Sequence, residues 1–158
     1  RKDIEHYYNH GRKYRSKAIA NLAFSGYNSR FDKSEGKNAW LTRDGATVSG
    51  RDSDKYTSFI FTVSAYGELF KMVGESNSKE WFANYPKELP TLVISGDADP
   101  VGDYGKGPDY VYKQLMVSGV SDVSLKLYEG ARHELFNETN RDEVFADMLT
   151  WIEGAVGK

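Results

Sequence analysis

The apolar positions fall into two differently patterned halves. Residues 16–24 place Ile19, Leu22 and Ala23 on one side of a short helix, with Gly26 as a stop. Residues 26–57 lose all periodicity. They are rich in Gly, Ser, Asn, Asp and Lys around isolated anchors, Tyr27, Phe31, Trp40 and Leu41, and read as an irregular, partly extended excursion. So long a loop inside a compact domain calls for a function such as a lid. Regularity returns over residues 58–73, where Phe59, Val63, Tyr66, Phe70 and Val73 form an amphipathic stripe that Gly74 ends. One or two helical turns are expected over residues 78–84, before Pro86 and Pro90.

From Pro90 onward the pattern alternates between strand and helix. Thr91-Leu92-Val93-Ile94-Ser95 is a continuous apolar run between Pro90 and Gly96, which fits a strand buried on both faces. Pro108 opens a helix over about 109–118, with Val111, Leu115 and Met116 inward and Gly119 as the stop. Val123 to Tyr128 alternates as a second strand. A last helix over 141–153 carries Val144, Phe145, Met148, Leu149 and Ile152, capped by Thr139 or Asn140. Strand, helix, strand, helix predicts an α/β fold with parallel strands.

Composition narrows the function classes. The 158 residues are 39% hydrophobic and 14% aromatic, enough for a core. Twenty-one basic against 23 acidic residues give a net charge of -2, which offers no reason to expect a nucleic acid partner. There is no cysteine, so thiolate chemistry and disulfides are excluded. No apolar run approaches the roughly 18 residues of a membrane span. No cofactor or metal is expected, and the compartment expected is cytoplasmic. The chain starts at Arg1 within a charged stretch, without an initiator Met or signal peptide, as though cut from something longer.

Ligands of open α/β sheets sit beyond the carboxyl ends of the strands. There the first strand leads into Gly96-Asp97-Ala98-Asp99-Pro100-Val101-Gly102, and the second into Glu129-Gly130-Ala131-Arg132-His133-Glu134. An acid from the first loop can orient a histidine from the second, the histidine serving as general base. Acid before histidine is also the chain order of α/β-hydrolases. Taken singly, such an Asp is a turn former and such a His a packing residue, so pattern alone leaves both readings open. Asp97-Ala98-Asp99-Pro100-Val101 also fits the opening of an aspartate-nucleophile phosphatase, but too little chain follows Val101 for that fold. A calcium loop counted from Asp97 meets Val101 at position 5 and Pro108 at position 12, and fails. A G-x-S-x-G nucleophile elbow and oxyanion-loop glycines are both missing from the chain.

Residues 90–152 resemble the C-terminal part of bacterial lysophospholipase and monoacylglycerol-lipase-like α/β-hydrolases, of the serine-aminopeptidase-type group. The resemblance rests on Ile94 through Gly102, Gly105-Lys106-Gly107, Leu125 through Glu134, and Asn137-Glu138. Upstream, Lys13 through Lys17, Leu22-Ala23-Phe24, Tyr27-Asn28, Trp40 through Asp44 and Phe61-Thr62 are similar to the family's lid and post-lid segments. It implies that Asp99 is the triad acid and His133 the catalytic histidine, with Asp97 a variable loop residue. It also implies a lid or cap over residues 1–57 and the C-terminal part of the hydrolase core over residues 58–158, the nucleophile-bearing half being absent. The function implied is a serine carboxylester hydrolase of lysophospholipids or monoacylglycerols. Its partners would be a lipid ester or other small acyl substrate and the missing N-terminal half. Trp40, Phe31, Tyr27 and Tyr66 suit either an acyl chain or packing against that half, and the basic first residues a head group or a solvated helix face. The alternatives are a peptide or thioester substrate, or a non-enzymatic fragment or protein-binding module whose open strand edge and apolar face invite self-association.

Overall fold

A computed structural model describes residues 11–57 and 59–157. Residues 1–10, the first part of the basic opening stretch, lie outside them. Helix α1 (Lys17–Ala23) starts where the Ser16 hydroxyl accepts the amide of Ile19. Two short 3-10 turns follow, Lys33–Glu35 and Ala39–Leu41. Helix α2 (Gly45–Ser53) comes next, within the stretch whose pattern predicts no regular element. The Asp44 carboxylate accepts the amides of Ala46 and Thr47, and Val48 is this helix's buried side chain. A helix held by one cap and one apolar anchor leaves no periodic signature.

Helix α3 (Val63–Ser76) begins at the Thr62 cap and runs through Gly74, whose missing side chain faces open space. A glycine on a solvated helix face costs only about 1 kcal/mol, too little to stop the helix. Of the expected stripe only Tyr66 is buried, between the rings of Phe61 and Phe70. Burial holds its hydroxyl pKa above the usual phenol value. Helix α4 (Lys79–Asn84) buries Phe82.

Strand β1 (Thr91–Gly96) pairs in parallel with β2 (Val123–Tyr128), register Thr91↔Val123 to Gly96↔Tyr128. Helix α5 (Lys106–Val117) crosses between them, and α6 (Arg141–Val156) follows β2. Pro108 is the third residue of α5, inside the first turn, where amides have no intrahelical partner to lose. The two sheet faces carry separate cores. Val93 and Val123 pack with Phe82, Leu115 and Val120. Ile94 packs with Tyr128, Ala131, Leu135, Val144 and Met148. Burial of β1 is complete only at Ser95 and Gly96, while residues 91–94 are half-buried. Among the described residues β1 pairs with β2 alone. On α6, Phe145, Leu149 and Ile152 are about half exposed, and Phe145 stacks on Phe136 at 5.3 Å.

Two contacts hold the second strand in place. The backbone of residues 131–132 crosses directly over Gly96, where an added β-carbon would lie 1.9 Å from the carbonyl oxygen of Ala131. Residues Lys126 and Tyr128 both reach Asp147 of α6. The hydrogen bond from Lys126 lowers the pKa of Asp147, and the same bond raises that of Lys126. Burial, helped by Asp147, pushes the Tyr128 hydroxyl up to about 12.

Gly96→Ala is expected to lose at least about 3 kcal/mol of stability, because the clash is with backbone that cannot rotate away. Urea denaturation checks it, and a loss below about 1 kcal/mol contradicts the crossing. Asp147→Asn is expected to lower the melting temperature by about 2–4 °C at neutral pH. The folded carboxylate holds its proton more weakly than the unfolded one. Its contribution is therefore present above about pH 4 and lost as pH falls through the lower folded value. Lys126 has the opposite sign, present below about pH 10 and lost as pH rises through its folded value. The melting gap between wild type and Asp147→Asn is thus expected to close in acid, and a pH-independent gap contradicts the assignment.

Candidate active site

The loops after β1 and β2 meet at the carboxyl end of the sheet. Nδ1 of His133 lies 3.0 Å from Oδ2 of Asp99. Asp99 is 6% exposed, and its Oδ1 accepts the amide of Val101 at 2.8 Å. The imidazole keeps about a third of its surface open. An imidazole whose Nδ1 proton is held by a carboxylate presents Nε2 as the free acceptor, the arrangement of a general base.

The acid loop is shaped by backbone geometry. Asp103, Tyr104 and Gly105 are consecutive left-handed residues, with φ of 46°, 56° and 88°. Two of them are not glycine, and left-handed non-glycine residues mark local strain. The amide of Tyr104 donates to the Asp99 carbonyl at 2.8 Å, and the Arg30 guanidinium covers the Tyr104 ring at 3.5 Å. Arg30, near the start of the excursion, therefore supports the turn that presents Asp99.

On the histidine loop every amide from Gly130 to Glu134 has a partner. Gly130 donates to Asp97 Oδ1 at 2.7 Å, and Ala131 to the Tyr128 carbonyl at 3.2 Å. Arg132 donates to Glu138 Oε1 at 2.8 Å. His133 donates to the Trp40 carbonyl at 3.4 Å and Glu134 to the Leu41 carbonyl at 2.7 Å. Asp97, read from the sequence as a loop residue only, thus ties the two loops to each other.

Sequence reasoning assigned no role to three residues that hold this loop, Arg43, Arg132 and Glu138, and read Trp40 only as a ring for an acyl chain or for packing. The Trp40 ring lies 5.2 Å from the His133 ring and continues through Tyr27 to Phe24. The Arg132 guanidinium donates to the carbonyls of Ala39 and Thr42 and to the Glu35 carboxylate, and rests 4.1 Å over the Phe31 ring. The Glu138 carboxylate is fully buried and accepts both Nε and the amide of Arg43. Polar residues inside the motif were a usable signal, because a buried charge is tolerated only with partners. Of the four aromatic residues read as suiting an acyl chain or packing, Tyr27, Phe31 and Trp40 are half-buried and Tyr66 is buried. A cavity of about 520 Å³ opens beside them, lined by Phe24, Asn28, Trp40, Arg51, Phe59 and Tyr66 among others. Among the described residues no group of three acidic or histidine side chains is placed to hold a metal, and no helix is long and apolar enough to cross a membrane.

Comparison with known proteins places the chain in a family. Residues 3–140 match the family model described as serine aminopeptidase, S33 (Hydrolase_4). The monoglyceride lipase of Saccharomyces cerevisiae is 36% identical over 127 residues, 69% of this chain and 39% of that protein. The monoacylglycerol lipase of Mycolicibacterium smegmatis is 38% identical over 68 residues, 40% of this chain and 21% of that protein. The crystal structure of a thermostable carboxyl esterase from Bacillus coagulans, in complex with glycerol, superposes with a TM-score of 0.85 at 26% identity, covering 94% of this chain and 49% of that one. The chain thus spans half or less of the length of these relatives. It belongs to the serine aminopeptidase S33 family, and its fold is part of an α/β-hydrolase of the monoacylglycerol-lipase type.

Proposed function

We propose that this chain supplies the acid and the histidine of a serine carboxylester hydrolase acting on monoacylglycerols or lysophospholipids. The single observation that carries the reading is the 3.0 Å contact between His133 Nδ1 and the buried Asp99 carboxylate, at the carboxyl end of parallel strands. Family membership supports the reaction class, and the names of the yeast and mycobacterial relatives support a monoacylglycerol as substrate.

In this reading Asp99 fixes the tautomer of His133 and stabilises the imidazolium. Nε2 takes the proton of a serine as that serine attacks the ester carbonyl, and returns it to the departing glycerol oxygen. A water then attacks the acyl-enzyme, with Nε2 again the base. The serine and the oxyanion donors come from the half of the hydrolase domain that precedes this chain. Half-exposed Phe136, Phe145, Leu149 and Ile152 offer an apolar surface for that half to cover. Residues 1–57 act as the cap, and the cavity beside Phe24, Trp40 and Phe59 takes the acyl chain.

In the complete protein, His133→Ala is expected to lower kcat/KM on a monoacylglycerol by about 10⁴-fold or more, and Asp99→Asn by a comparable factor. Steady-state hydrolysis checks both, and a His133→Ala protein of wild-type activity ends the reading. The 158-residue chain alone is expected neither to react with a fluorophosphonate probe nor to turn over a nitrophenyl ester. Labelling of the isolated chain at any of its serines contradicts the division of the triad.

A further inference from the structure

We propose that Glu138 is a positioning residue for His133, a role that rests on the reading of His133 as the base. Oε1 of Glu138 accepts the amide of Arg132 at 2.8 Å and the amide of Arg43 at 3.1 Å. The other oxygen, Oε2, accepts Nε of Arg43 at 2.9 Å and the amide of Thr139 at 3.1 Å. The carboxylate is 1% exposed, so these donors replace the water it gave up. It therefore joins the residue immediately before His133 to the 39–43 segment through a single oxygen.

The surrounding contacts turn that junction into a register. The next two amides, of His133 and Glu134, donate to the carbonyls of Trp40 and Leu41. From the other side the Arg132 guanidinium grips the carbonyls of Ala39 and Thr42. The Thr42 hydroxyl donates to the carbonyl of Asn137 at 2.8 Å. Residues 39–43 and 132–138 are thus bound to each other by side chains reaching in both directions, with Glu138 at the centre. The amides of Gly130 and Ala98 tie the start of this loop to the acid loop, and Glu138 fixes its far side, where His133 sits. The position of its Nδ1 follows the position of the Arg132 amide. Glutamine at 138 keeps the shape, but it offers one carbonyl oxygen to donors arranged around two and turns an N–H toward the others. That rearrangement displaces the Arg132 amide and, through it, the imidazole.

The test uses the complete protein and two readouts. In Glu138→Gln, kcat on a soluble short-chain ester is expected to fall by about 10²-fold while KM stays within about twofold, the pattern of a misplaced base rather than a damaged binding site. The far-downfield proton resonance of the His133–Asp99 hydrogen bond is expected to vanish or broaden while the remaining spectrum stays that of a folded protein. A folded Glu138→Gln protein with the wild-type resonance and kcat overturns the proposal. Where Glu138→Gln does not fold, Arg43→Gln carries the same test. It removes one donor from Oε2 and leaves three amides on the carboxylate, so kcat is expected to drop by about tenfold with a weakened resonance. An unchanged resonance and kcat in folded Arg43→Gln overturn the proposal equally. The two readings fail separately. A lost resonance in Glu138→Gln beside a fully active His133→Ala protein keeps the positioning role and ends the assignment of the base.

Discussion

Everything at the carboxyl end of this sheet depends on the closeness with which one loop crosses one strand. Gly96 ends β1, and the backbone of residues 131–132 passes where its side chain would be. That approach brings the loop after β2 down onto the loop after β1. The amide of Ala98 then donates to the Ala131 carbonyl at 3.0 Å, and that of Asp97 to the Tyr128 carbonyl at 3.1 Å. Only with the loops at this separation do Asp99 and His133 reach hydrogen-bond distance. A β-carbon at 96 separates the loops before any change of charge or chemistry.

The second constraint is polar. The loop that carries His133 has no regular secondary-structure ladder to hold it, so its amides are satisfied one by one. Here each amide from Gly130 to Glu134 is given a separate partner, drawn from Asp97, Tyr128, Glu138, Trp40 and Leu41. Three of those partners lie in or bind to the excursion over residues 26–57. Among the described residues no buried side-chain polar atom is left without a hydrogen bond. The excursion is therefore part of the support of the histidine loop. Its ring series from Phe24 through Tyr27 and Trp40 ends against the imidazole.

Legibility in the sequence followed the length over which a pattern repeats. The strands over 91–96 and 123–128, the crossover helix and the last helix were readable because each carries several apolar positions in one period. The meeting of Asp99 and His133 was readable because strand ends give them a place and an order, while their roles came only from the family resemblance. Gly45–Ser53 was not, since one capping Asp and one buried Val make no periodicity. Phe59 and Tyr66 fit one stripe on paper, yet Phe59 precedes the helix and is exposed while Tyr66 is buried. The support of His133 was illegible for a different reason. Arg43 and Glu138 stand 95 residues apart, and nothing local to either records the pairing.

The central claim is that Asp99 and His133 work as one unit, the carboxylate acting only through the imidazole. A double-mutant cycle on kcat in the complete protein tests it most directly. The account predicts that Asp99→Asn combined with His133→Ala is no slower than His133→Ala alone, within about twofold, because the acid has nothing left to orient. Losses that multiply, with the double variant slower by the full factor that Asp99→Asn costs alone, show two independent contributions and contradict the account.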